Sequence, residues 1–163
     1  MVDIRPYHSE DRSALLQLMT ELQNHLASID PLHRLKNIDD FDVEAYVDHL
    51  LLQMKEEHGV ILIAKEEDVV VGFIVGSIPS ASEDDDLDHY SAMEGKVDEL
   101  VVSEQHRGKH VGRELMKKLE QHFQKNGCEF IRVGCFAPNL GTHAFYEKCG
   151  YNDRYIEMLK KID

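Results

Sequence analysis

The most constraining stretch of this chain is a strand that runs into a polar, glycine-bearing turn, opens an amphipathic helix and is followed by a second strand. Lys96–Val102 is the first strand and Ser103–Gly112 the turn. Val111, Leu115, Met116, Leu119 and Phe123 form the apolar face of the helix, which Gly127 ends, and Phe130–Cys135 is the second strand. A helix between two strands of one sheet is a crossover, and a crossover makes the pair parallel. Upstream, the β-branched runs Val60–Lys65 and Val69–Ile78 are separated only by Glu66-Glu67-Asp68 and read as an antiparallel hairpin. One parallel pair attached to hairpin-linked strands gives a mixed α/β (α+β) sheet, mostly antiparallel, with helices on both faces.

The remaining pattern fits around that sheet. Val2–Pro6 reads as an opening strand. Leu15, Leu18, Leu22, Leu26 and Ile29 recur at helical spacing, with Ser9 as the N-cap and Glu10 and Asp11 in the first turn. Val43, Tyr46, Val47, Leu50 and Met54 draw a second helical face, capped by Asp42 and stopped at Gly59. Leu140–Cys149 reads as a short helix closed by Gly150, and Tyr155–Leu159 as a last strand. Two stretches stay irregular: Asp30 to Phe41, and Pro79–Gly95 with its acidic run Glu83-Asp84-Asp85-Asp86. A loop as long as the second usually serves function. With no repeat and no linker, the 163 residues read as one domain over 1–163.

Charge narrows the partners. Eighteen Lys and Arg stand against 31 Asp and Glu, a net charge of −13. Binding at phosphate backbones needs the opposite balance, so a nucleic-acid partner is not expected. No apolar run approaches the length a bilayer requires, the longest being Val69–Ile78, and the first residues carry charge where a secretory leader is apolar. Three cysteines, Cys128, Cys135 and Cys149, lack paired spacing and suit reduced thiols in a cytoplasmic protein. His106 and His110 are four residues apart but bring no H-E-x-x-H motif, so no metal site is expected.

The turn after Val102 is where chemistry can gather. The first N–H groups of a helix have no internal partner and point outward, and the helix dipole adds positive charge there. Such an end seats phosphate. Arg107, Lys109 and Arg113 supply local cations, while Gly108 and Gly112 let the backbone approach a ligand. An ordinary helix start with solvated basic residues is the competing reading. A P-loop is excluded because Gly108 and Gly112 have the wrong separation, and G-x-G-x-x-G is absent.

At these residues the chain resembles the GNAT superfamily of acyl-CoA-dependent N-acyltransferases. Gln105-His106-Arg107-Gly108-Lys109-His110 is similar to the family's [QR]-x-x-G-x-[GA] motif, departing from it at His110. Val97–Val102 looks like the family's fourth strand, and Asn139–Tyr151 like its second CoA motif. Ile4-Arg5-Pro6 followed by Glu10-Asp11 is a typical opening. The resemblance covers nearly the whole chain. It implies the acyl-CoA N-acyltransferase fold, with the parallel pair of strands splayed apart, and acetyl-CoA as co-substrate.

The resemblance also implies roles. The backbone of Leu100, Val101 and Val102 would bind pantetheine and polarise the thioester carbonyl. Arg107, Gly108, Lys109, His110, Val111, Gly112 and Arg113 would cradle the pyrophosphate. Asn139 would hydrogen-bond the pantetheine region or serve as a plain helix cap. Tyr146 would lie near the sulfur and protonate the leaving thiolate. Glu99 would be the general base, with Asp98 on the opposite strand face as the fallback. The chemistry needs such a base, since an alkylamine with a pKa of about 10.4 arrives protonated at neutral pH. Cys149 has no base beside it in sequence, which disfavours an acyl-cysteine route. The expected acceptor is a primary amine of a cationic small molecule or peptide, with Asp39, Asp40, Asp42 and Glu83–Asp86 bordering its entrance. A homodimer is expected by analogy, and a catalytically idle acyl-CoA sensor is the rival reading.

Overall fold

The computed structural model describes residues 2–80 and 90–162. Five strands form one sheet in the order of the chain: β1 (Asp3–Pro6), β2 (Val60–Glu66), β3 (Val69–Ser77), β4 (Glu94–Val102) and β5 (Phe130–Val133). The first four pair antiparallel, and β4 pairs with β5 in parallel. Among the described residues, four α-helices cover the sheet: α1 (Arg12–Ser28), α2 (Val43–Glu56), α3 (Val111–Lys125) and α4 (Leu140–Lys148). The mixed sheet, its parallel pair and the helical layers agree with the sequence expectation. No helix among the described residues is long and apolar enough to cross a membrane.

Strand alternation divides the core in two. On one face Ile63, Phe73, Val75 and Val101 pack against Leu15 and Leu18 of α1 and Val47 and Leu50 of α2. On the other, Val71, Ile74 and Val97 pack under Leu115, Leu119 and Phe123 of α3 and Tyr146 of α4. The Phe123 ring lies over two glycines: a Cβ at Gly95 would come within 2.6 Å of it and one at Gly76 within 2.7 Å. Absent side chains there are what let α3 settle on the sheet.

Two expectations need correction. Ser9 does not cap α1. It opens a 3₁₀ turn, Ser9–Asp11, and α1 begins at Arg12. Asp11 organises the corner instead, taking both arms of the Arg5 guanidinium at 2.8 Å and the His8 N–H at 2.9 Å. Arg5 holds this buried carboxyl below the usual carboxylate range. The last strand is also absent: Tyr155–Leu159 has no regular structure. Tyr155, Ile156, Met158 and Leu159 are exposed. Asp42, by contrast, caps α2 as expected, accepting the Ala45 N–H at 3.0 Å.

Candidate active site

β4 changes character half-way along. Glu94–Val97 pairs with Phe130–Val133 of β5 on one edge, and Lys96 and Val97 also pair with Ser77 and Gly76 of β3 on the other. Beyond Val97 the β5 side has no strand partner among the described residues, because β5 stops at Val133 while β4 continues to Val102. The register decides which groups this frees. Ser103 N–H donates to the Val71 carbonyl at 2.9 Å, and Val102 stands opposite Gly72. Bonded and non-bonded pairs alternate along an antiparallel ladder. Val101 therefore exchanges its bonds with Phe73, while Leu100 and Val102 turn theirs to the open edge. The three residues expected to act together are thus separated: Val101 is directed into the sheet, and only its neighbours face the gap. Arg107 Nε reaches the Val102 carbonyl on that side at 3.3 Å.

The turn at the end of β4 is shaped by two left-handed residues, Gly108 at φ +75° and His110 at φ +64°. A Cβ at Gly108 would meet nothing within 4 Å, so backbone conformation rather than crowding selects glycine there. His110 adopts a conformation that side chains enter at a cost, though His does so more readily than most. A Gly at this position would meet that backbone need freely, whereas His110 meets it under strain. Glu114 N–H closes the first helical turn on the His110 carbonyl at 3.1 Å. The N–H groups of Val111, Gly112 and Arg113 precede that bond and point out of the helix end. Arg107, Lys109, His110 and Arg113 are exposed around them. Val111 is buried, and Gly112 lies under the Phe145 ring of α4. His106 anchors the turn from behind: Nδ1 is 2.7 Å from Ser103 Oγ and Nε2 is 3.3 Å from Glu66 of β2. A shallow cavity of about 250 Å³ lies beside it, lined by Gln17 and Glu21 of α1 and by Ser103, Gln105 and His106.

Glu99 owes its direction to a bulge. Val97 stands opposite Gly76 and Glu99 opposite Val75, so Asp98 is an extra residue in β4. Regular alternation would put Glu99 on the face of Val97, under α3. The bulge turns it toward α2, where Glu99 accepts a short hydrogen bond from the Tyr46 hydroxyl. The expectation that Asp98 lies on the opposite face from Glu99 fails for the same reason. Asp98 takes the Ser77 hydroxyl at 2.7 Å, and Lys96 Nζ lies 2.7 Å from its other oxygen, paired by charge without hydrogen-bond geometry. Burial raises the pKa of Glu99 and the charge of Asp98 raises it further, while the Tyr46 hydrogen bond and Lys96 oppose both.

Tyr146 is 7% exposed, its ring packed against Phe145 and Tyr151 at 5.4 and 5.9 Å between centroids. Its hydroxyl has no hydrogen-bond partner among the described residues. Burial raises its pKa most, with Cys135, Glu99 and Cys149 adding to it. The Glu99 charge is therefore felt at Tyr146 although the two come from different faces of the sheet. Asn139 caps α4, its side chain accepting the Thr142 N–H at 3.3 Å, which leaves its amide nitrogen for other partners. Cys149 sits at the other end of α4, and burial raises its pKa, which makes it a poor nucleophile.

Residues 19–151 match the model of the acetyltransferase (GNAT) family. The chain belongs to this family. Among curated relatives, glucosamine 6-phosphate N-acetyltransferase of Arabidopsis thaliana is 33% identical over 69 residues, 42% of this chain and 44% of that one. The enzyme of the same name from Candida albicans is 34% identical over 73 residues, 45% and 47% of the two chains. The match thus spans under half the length of either relative. The aminoglycoside 6'-N-acetyltransferase of Acinetobacter haemolyticus has a similar fold, with a TM-score of 0.71 at 16% identity, over 99% of each chain. In this GNAT chain the sequence pointed to the turn, to Glu99 and to Tyr146. It missed Tyr46, read only as part of an apolar helix face. Tyr46 is 53 residues from Glu99, and no local signal joins them.

Proposed function

We propose that this GNAT chain transfers an acetyl group from acetyl-CoA to a primary amine by direct attack in a ternary complex. The observation that carries the reading is the open edge of β4 between Glu99 and the Gly108–Arg113 turn. The open N–H and C=O of Leu100 and the open N–H of Val102 suit an amide-bearing pantetheine arm laid along the strand, as a further strand would lie, while the Val102 carbonyl is held by Arg107. The outward N–H groups of α3, with Arg107, Lys109 and Arg113, suit a pyrophosphate. An N–H on the same edge would polarise the thioester carbonyl and stabilise the charge that develops on its oxygen.

Glu99 then takes a proton from the acceptor ammonium, and the nitrogen attacks the carbonyl carbon. As the tetrahedral centre collapses, the carbon–sulfur bond breaks, Tyr146 gives its proton to the thiolate, and the nitrogen gives up its second proton to restore the Tyr146 phenol and leave a neutral amide. The pKa of Tyr146 is raised, which keeps it protonated until a strong base forms beside it. The acceptor in this reading is a cationic small molecule. Asp98 and Glu99 lie together in a chain of net charge −13, which supports it. The earlier set of acidic residues carries less of this. Asp42 is committed to capping α2, Asp40 accepts from Asn37 at 3.0 Å, and Glu83–Asp86 lie outside the described residues. The reading places the enzyme in the cytoplasm, without nucleic-acid or membrane partners, and as a homodimer. The exposed apolar side chains of Tyr155–Ile162 favour self-association.

The test is thiol release from acetyl-CoA with a panel of amines: 1,4-diaminobutane, an aminoglycoside, glucosamine 6-phosphate and a peptide with a free N-terminus. Turnover should be fastest with a cationic acceptor and its kcat/KM should fall with added salt, since exposed charges are screened within about 8–10 Å. Tyr146→Phe should lower kcat and leave the KM for acetyl-CoA within a few-fold. No thiol release with any amine from a folded preparation overturns the reading. A preference for the phosphorylated sugar, indifferent to salt, overturns its acceptor half.

A further inference from the structure

Glu99 reaches its position with a companion from another layer of the fold. Tyr46 lies in the first turns of α2, and its hydroxyl donates to Glu99 Oε1. The ring is held from outside by Phe41, 5.4 Å away between centroids. The helix itself is tied to α1 by Arg12, which pairs with both Glu44 and Asp48. The phenol is thus fixed at both ends, by packing on its ring and by a carboxylate on its oxygen. Tyr46 is half-buried, and its hydroxyl is satisfied by the side chain proposed to take the proton from the acceptor.

We propose that Tyr46 is a positioning residue for the acetyl-transfer reaction, holding Oε1 of Glu99 so that Oε2 faces the acceptor amine. This rests on Glu99 being the base. In the proton step one N–H bond of the ammonium breaks, its proton goes to Oε2, and its electron pair stays on nitrogen. Tyr46 keeps its own proton throughout. Burial and the adjacent Glu99 charge raise its pKa, so it neither ionises nor competes.

The hydrogen bond also sets the charge of the base. The groups that act on Glu99 are Tyr46 from α2 and Lys96 and Asp98 from its own strand; Ser77 of β3 is engaged with Asp98, and the Glu99 charge is felt at Tyr146 of α4. Burial and Asp98 drive Glu99 toward its protonated form, in which it cannot accept a proton. Tyr46 and Lys96 drive it back. Removing the Tyr46 hydroxyl raises the pKa of Glu99 further. The acid limb of activity then moves to higher pH, and activity at a pH within that limb falls.

Two measurements on the full chain test this. Tyr46→Phe keeps the ring on Phe41 and removes only the donor. In a carbon-13 NMR titration of the Glu99 carboxyl, the midpoint should rise in Tyr46→Phe by about one pH unit, the scale of a hydrogen bond to a buried charge. With the panel amine that turns over fastest, the acid limb of kcat/KM should rise in parallel. Activity should be about tenfold down below the limb and recover at higher pH. A Glu99 midpoint that does not move overturns the pairing and leaves the base untouched. A uniform loss of activity at every pH, with the limb in place, reduces Tyr46 to packing and also overturns it. If instead Glu99→Gln keeps the wild-type acid limb, the base reading itself falls and takes the catalytic sense of the pair with it.

Discussion

The two halves of β4 are built from similar residues and do opposite work. Glu94–Val97 pairs with β5 along its whole length and, at Lys96 and Val97, with β3 as well, and the Phe123 ring of α3 packs over Gly95. Leu100–Val102 is paired with β3 alone, and its other edge is open. The first half commits the edge facing β5 to the sheet and holds the fold. The second keeps half of them in reserve, next to a bulge that gathers two carboxylates and a turn that gathers cations. The proposed site lies where a strand outlasts its neighbour: a ladder left half-made is a row of correctly spaced donors and acceptors.

The contrast can be attacked at several strengths. Phe123→Ala strikes the closed half. Removing a ring that is 1% exposed should cost about 3–5 kcal/mol and lower Tm by about 6–20 °C in a thermal melt. It should leave the pH profile of whatever activity survives at low temperature unmoved. Proline substitutions divide the open half. Val101→Pro deletes an N–H used by Phe73 and leaves a buried carbonyl unsatisfied, about 2–3 kcal/mol in chemical denaturation. Val102→Pro deletes an N–H that points at the gap. It should cost under about 1 kcal/mol of stability and weaken CoA binding about tenfold. Equal stability losses for the two would mean that the assignment of edges along β4 is wrong. The smallest effect is expected at the helix that brings Tyr146. Asn139→Ala removes the cap of α4 and should cost about 1 kcal/mol by denaturant titration.

Much of this was legible in the sequence, and the gaps have physical causes. Periodicity gave the hairpin of β2 and β3, the faces of α1, α2 and α3, and the parallel pair, because each is a local pattern repeated over several turns or residues. The Ser9 cap failed because capping preference ignores tertiary partners, and Arg5 recruits Asp11 instead. The last strand failed because Tyr155-Ile156 and Met158-Leu159 place apolar residues side by side, which buries neither face of a strand cleanly. Glu99 and Tyr146 were singled out through the strand and the motif they belong to, and their proposed roles rest on that resemblance. The bulge at Asp98 was not, since nothing in Lys96-Val97-Asp98-Glu99 marks the extra residue, and with it went the relation of the two carboxylates. Tyr46 was hidden by distance: 53 residues separate it from Glu99, and only the packing of α2 on the sheet joins them.

The central claim is that the open half of β4 and the turn after it form one seat for acyl-CoA. The most direct measurement is the shift in Tm that CoA produces in the wild-type chain and in Gly108→Glu, with Gly108→Ala as a control that carries the same backbone strain without the charge. At a hundredfold excess over its dissociation constant, CoA should stabilise the wild type by about 2.7 kcal/mol, a rise of about 5–11 °C in a chain of 163 residues. Gly108→Ala should retain much of that rise and Gly108→Glu should lose it, because the carboxylate occupies the place of the pyrophosphate and repels it. A CoA-induced rise in Gly108→Glu equal to that of the wild type would contradict the account.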